Sequence, residues 1–195
     1  GRNREGQDAN NSRALGGGYA MLAGATLLHE HAGKNLHIYN RGISGNKVFQ
    51  LAERWDADCV EIKPAVLSIL IGVNDFWHML GGRYDGTMET YHRDFKALLT
   101  RTKDKLPDVK LIIGEPFAVK DVKAVDATWF PRFDEYQAAA RELAQQFNAA
   151  FIPYQRIFDQ AAKVAPPVYW THDGVHPSLA GSQLMAEAVL ANFTD

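Results

Sequence analysis

Asp173 and His176 stand three residues apart in the run Thr171-His172-Asp173-Gly174-Val175-His176-Pro177. On a loop, that spacing lets the carboxylate accept a hydrogen bond from Nδ1 and leaves Nε2 free as a general base. Pro177 biases His176 away from the α region and so holds the imidazole on an extended segment ahead of the helix that follows. The same residues admit two other roles. The run can cap a helix, and His172 and His176 flanking an aspartate could begin a metal site. A closed metal site needs more ligands, however, and no other histidine or cysteine sits at a clear ligand spacing, so no metal is expected.

Two more polar clusters follow apolar runs. In Asn40-Arg41-Gly42-Ile43-Ser44-Gly45-Asn46 the glycines let the backbone approach a ligand, so the amides around Gly45 could bind an anion; an ordinary strand-to-helix turn uses the same residues. In Gly72-Val73-Asn74-Asp75 the Asn74 amide can donate to an oxyanion, although Asn-Asp is also a frequent helix N-cap pair. The aromatic residues Trp77, Tyr169 and Trp170 lie beside these clusters in sequence and could stack on a sugar ring; core packing is the alternative. Ser44 is read as a turn hydroxyl bonding the local backbone.

Strand-like and helix-like patterns take turns along the chain, which is the α/β signature. The strands expected are Leu36 to Asn40, Val66 to Ile71, Lys110 to Gly114 and Ala150 to Pro153, and their continuous apolar character implies a parallel sheet covered on both faces. Helical spacing joins Val48, Leu51, Ala52 and Trp55, then Tyr91, Phe95, Leu98 and Leu99, then Phe133, Tyr136, Ala140, Leu143 and Phe147. The last helix is expected to begin at Pro177 and to bury Leu184, Met185, Ala188 and Val189. In an open sheet of this kind ligands bind beyond the carboxyl ends of the strands, where all three polar clusters fall.

At 195 residues, 46% hydrophobic and 23% charged, the chain suits one domain, residues 1–195. A net charge of -2 gives no reason to expect a nucleic-acid partner. The longest apolar run, Ala65 to Val73, is about half of what a membrane-spanning helix needs. Cys59 is the only cysteine, so no internal disulfide forms and the compartment stays open.

Together the clusters resemble an SGNH (GDSL-type) hydrolase. Gly45 in Gly42-Ile43-Ser44-Gly45, Gly72 with Asn74 and Asp75, and Asp173 with His176 look like three of that family's four blocks, in order. The surrounding text, with the opening Gly1-Arg2, is similar to the acetylxylan esterase branch. The resemblance implies a flavodoxin-like three-layer α/β/α fold. It makes Gly45 and Asn74 the oxyanion hole and Asp173 and His176 the acid–base pair of a serine esterase; Trp77 and Trp170, by their place beside these residues in sequence, are the candidates for substrate binding. No cofactor is implied. The substrate would be a small-molecule or glycan ester, and a homo-oligomer stays open. The family's first block, Gly-Asp-Ser at the end of the first strand, has no counterpart, so the nucleophile is expected on a strand upstream of Gly1 or from another chain. That strand would lie between the Leu36 and Val66 strands, and a gap of strand width is expected there. Two other classes remain: a non-catalytic pseudoenzyme or carbohydrate-binding module on the same fold, and a nucleotide-binding flavodoxin-like protein. The latter lacks both Gly-x-Gly-x-x-Gly and a P-loop.

Overall fold

A computed structural model describes residues 8–193, so the Gly1-Arg2 opening lies outside the described residues. Three strands, β1 (Val66–Leu70), β2 (Lys110–Gly114) and β3 (Ala150–Ile152), pair in parallel in the order β1-β2-β3. The register sets Val66 opposite Lys110 and Ile112 opposite Ala150. In chain order the helices are α1 (Ser12–Leu15), α2 (Tyr19–Glu30), α3 (Val48–Glu53), α4 (Val73–Leu80), α5 (Met88–Lys105), α6 (Arg132–Gln146), α7 (Tyr154–Ala161), α8 (Pro167–Trp170) and α9 (Leu179–Leu190).

The alternation of side chains along β2 divides the interior in two. Leu111 and Ile113 point into a cluster with Val48 and Trp55 near α3, Phe76 of α4, Tyr91 to Leu99 of α5 and Phe133 to Ala144 of α6. Ile112 points the other way, into a cluster with Ala23 of α2, Tyr154 and Phe158 of α7, and Met185 to Val189 of α9. The sheet is therefore covered by helices on both faces, and its strands are apolar throughout for that reason. Each fully buried Leu, Ile or Phe contributes about 1.5–3 kcal/mol of transfer free energy, so these two clusters dominate the stabilising side.

The α5 and α6 patterns are buried as the spacing requires: Tyr91, Phe95, Leu98 and Leu99 on one helix, and Phe133, Tyr136, Ala140 and Leu143 on the other. A hydrogen bond from Trp55 Nε1 to Thr102 Oγ1, 2.9 Å long and fully buried, ties the end of α3 to α5. Among the described helices none is long and apolar enough to cross a membrane.

Two expectations are corrected. Leu36 to Asn40 forms no strand: its backbone pairs with Asn10, through Asn10 N–H to Ile38 O at 3.0 Å and the Asn10 side chain to Leu36 O and Ile38 N–H. A ladder needs a neighbouring strand, and none lies alongside among the described residues. Between this segment and β1 lies a cavity of about 690 Å³, lined by Leu36, Ile38 and Asn40 on one side and by Val66, Ser68 and Leu70 on the other. The final helix also starts later than expected, at Leu179. Ser178 caps it, its hydroxyl accepting Gly181 N–H at 3.1 Å, and Pro177 is left outside in a bridge with Thr171. A hydroxyl that satisfies a first-turn N–H outweighs the proline's fixed φ in setting the boundary.

Candidate active site

The loop between α8 and α9 carries Asp173 and His176, the pair expected to act as acid and base. His172 N–H donates to His176 O at 2.9 Å, closing the run into a turn. Inside it the Asp173 carboxylate is fully engaged. Oδ1 accepts Val175 N–H at 3.0 Å and His176 N–H at 2.8 Å, and Oδ2 lies 2.8 Å from His176 Nδ1. Partial burial alone would raise the Asp173 carboxyl. The hydrogen bonds from the His176 backbone and ring and from Val175 N–H outweigh it and hold the group below its ordinary value. A carboxylate kept ionised at Nδ1 fixes the tautomer that leaves Nε2 as base, and the His176 side chain is 59% exposed, open to a substrate. Among the described residues the ring of His172 makes no comparable contact.

The proposed anion-binding groups come from two other connections. Gly45 has φ +80 in an exposed turn. The turn is braced by Arg54 at the end of α3, whose guanidinium donates to Asn46 Oδ1 at 3.0 Å and to Arg41 O at 2.8 Å. Asn74 lies within the first turn of α4, whose N-cap is Gly72 at φ +127, so Asn74 is not the cap. Only glycine fits at that cap, since a Cβ there would meet the Tyr91 ring at 2.9 Å. Freed from capping, the Asn74 side-chain amide donates to Asn46 O at 3.3 Å. Asn74 and the turn carrying Gly45 are thereby side by side.

Asp75 completes this seam. Its Oδ1 accepts Val48 N–H at 3.2 Å, joining the first turns of α3 and α4. Burial pushes its carboxyl up to about 6, against the lowering effect of the Val48 and Asp75 N–H groups and Lys47. Lys47, also buried, lies 3.3 Å from His78 Nδ1 and sits over the rings of Phe49 and Tyr84. Sequence reading missed Lys47 and His78. Position was the signal: Lys47, the N-cap of α3, is two residues past Gly45, and His78 is one helical turn past Asn74 on α4.

Of the two aromatic candidates, Trp77 lies against the pair, its ring 6.2 Å from that of His176 and backed by Trp129 at 5.8 Å. Trp170 is half-buried against the second cluster, and its indole N–H donates to Ala165 O at 3.1 Å. Its neighbour Tyr169 is the more exposed ring. Ser44 is exposed in the turn before Gly45. Among the described residues no group of three or more His, Cys, Asp and Glu side chains is arranged to hold a metal.

The model of the GDSL-like Lipase/Acylhydrolase family matches residues 6–184, a span that contains Gly45, Asn74, Asp173 and His176. The chain belongs to this family. It is a carboxylic ester hydrolase. The esterase is 30% identical over 179 residues to an acetylxylan esterase of Geobacillus stearothermophilus, covering 91% of this chain and 81% of the relative. The crystal structure of that Geobacillus enzyme superposes with a TM-score of 0.84 at 29% identity, over 98% of this chain and 87% of the other. A GDSL-like lipase from Parabacteroides merdae superposes with a TM-score of 0.95 at 49% identity, over 98% and 88%. Two further structures of the Geobacillus enzyme are catalytic mutants, one a histidine and one an aspartate replaced by alanine, the two residues three positions apart.

Proposed function

We propose that this esterase removes short acyl groups, acetyl foremost, from carbohydrate esters through a covalent acyl-enzyme. The observation that carries the reading is the 2.8 Å contact between Asp173 Oδ2 and His176 Nδ1, with Nε2 left toward solvent beside Trp77. The catalytic aspartate and histidine of the Geobacillus acetylxylan esterase have the same spacing of three, which supports these roles. His176 takes the proton of a serine hydroxyl as that oxygen attacks the ester carbonyl, then returns it to the leaving alcohol. Asp173 stabilises the imidazolium formed between the two steps. The tetrahedral oxyanion is met by Gly45 N–H and the Asn74 amide, and water then repeats the sequence on the acyl-enzyme. Trp77 offers a face for the sugar ring that carries the acyl group.

The test is a panel of nitrophenyl esters of increasing acyl length together with acetylated xylooligosaccharides. Acetyl esters should turn over fastest, with a burst of nitrophenol before the steady state. His176→Ala should nearly abolish kcat while His172→Ala costs far less. Equal losses would replace the dyad by a shared structural role. Sugar binding without hydrolysis of any ester would leave a carbohydrate-binding module.

A further inference from the structure

The acid–base turn is held from outside itself. Val119 N–H donates to Gly174 O at 2.8 Å and Ala124 N–H to Asp173 O at 3.1 Å. Both donors belong to the connection between β2 and α6, which folds back through a bridge between Val122 and Val125. Val119, Val122 and Val125 are all buried, so apolar burial anchors this segment to the core. Gly174 is fitted closely against it. At φ +93, an added Cβ would meet Val125 Cγ2 at 2.6 Å, Val119 O at 2.7 Å and Val122 O at 3.0 Å. On the other side Gly174 N–H donates to the buried Thr171 Oγ1 at 3.2 Å.

The hydrogen bonds within the turn orient Asp173 and His176 with respect to each other, but they do not fix the pair with respect to α4, which carries Asn74. We propose that Val119–Val125 is a clamp that positions the acid–base pair against α4, where Trp77 meets His176, with Gly174 as its contact point. No clamp residue touches the substrate; the segment acts by setting where His176 Nε2 stands. This inference rests on the esterase reading above for its catalytic consequence. A displacement of about 1 Å at a reacting group is enough to cost on the order of 100-fold in rate.

Trp77 provides a readout that does not need turnover, because it rides on α4 with Asn74 and its ring lies 6.2 Å from that of His176. The experiment measures the nuclear Overhauser contact between these two rings, with kcat and KM, in the full-length protein and in Gly174→Ala and Val125→Ala. In folded variants the ring contact should weaken, and kcat should fall about 10- to 100-fold with KM held within about twofold. Should Gly174→Ala fail to fold, Val125→Ala decides alone. An intact ring contact in folded variants overturns the clamp, and so does a weakened contact with kcat unchanged. Should the parent hydrolyse no ester, the esterase reading fails by itself, and the ring contact still decides whether the segment positions the pair.

Discussion

Asn74 has two amide hydrogens, and the carbonyl of Asn46 takes one of them. In the proposed role that bond aims the side chain and leaves the second hydrogen for a developing oxyanion, so preorganisation and donation would come from the same group. Asn74→Ala should lower kcat by about 10²- to 10³-fold with little change in stability, measured by steady-state kinetics and urea unfolding. Unfolding without a kinetic defect would make Asn74 a structural tie alone. Asp75 beside it carries a different expectation. Its Oδ2 is buried with no hydrogen-bond partner among the described residues, and its carboxyl is raised from 3.8 to about 6. A carboxyl raised by folding makes the native state hold a proton that the unfolded chain releases. The stabilisation is therefore complete below about pH 4 and is lost as pH climbs through about 6. The full span corresponds to about 3 kcal/mol. Asp75→Asn keeps an acceptor for Val48 N–H and removes the titration. Urea unfolding across that range should show the parent losing stability relative to the variant as pH rises, and parallel curves would refute the assignment.

At the scale of elements, legibility followed whether a pattern is local. The faces of α5 and α6 could be read because apolar residues recur at helical spacing, and β1, β2 and β3 because short apolar runs end in turn residues. Asp173 and His176 were legible because their pairing lies within one loop. Three things were not. The start of α9 depended on Ser178 as cap against Pro177 as first-turn residue, and both residues favour a helix start. Leu36–Asn40 has the composition of a strand, but a strand is a relation between two segments and cannot be read from one. The clamp at Val119–Val125 meets Asp173 and Gly174 across about 50 residues of chain, and nothing in its own sequence announces that contact. The seam between α3 and α5 gives this paragraph's prediction. Thr102→Val keeps the shape of the side chain but strands the buried Trp55 indole N–H, so stability should fall by about 1–3 kcal/mol in urea or thermal unfolding. A smaller change would mean that the indole finds another acceptor.

For the molecule as a whole, each half of the chemistry hangs on a different connection of one sheet. Gly45 precedes α3, Asn74 opens α4 directly after β1, and the acid–base pair stands between α8 and α9. The sheet is rigid because both faces are packed, and groups far apart in sequence can meet at hydrogen-bond precision only on such a frame. The cavity beside β1 is lined by Gly42, Ile43 and Asn46, from the turn that carries Gly45, whereas Asp173 and Gly174 are tied to the β2–α6 connection.

The Trp77–His176 contact also bears on how the chain reaches this state. Trp77 leaves a ribosome about a hundred residues before His176 does, and no local contact joins them beforehand. Their meeting closes the longest loop in the site, so it belongs among the last events of folding. A nascent chain released just short of Thr171 would already contain β1, β2, β3 and most residues of both cores, yet it would lack His176, the proposed base. On the proposed roles, chemical competence follows only after this late segment is made and has docked against α4.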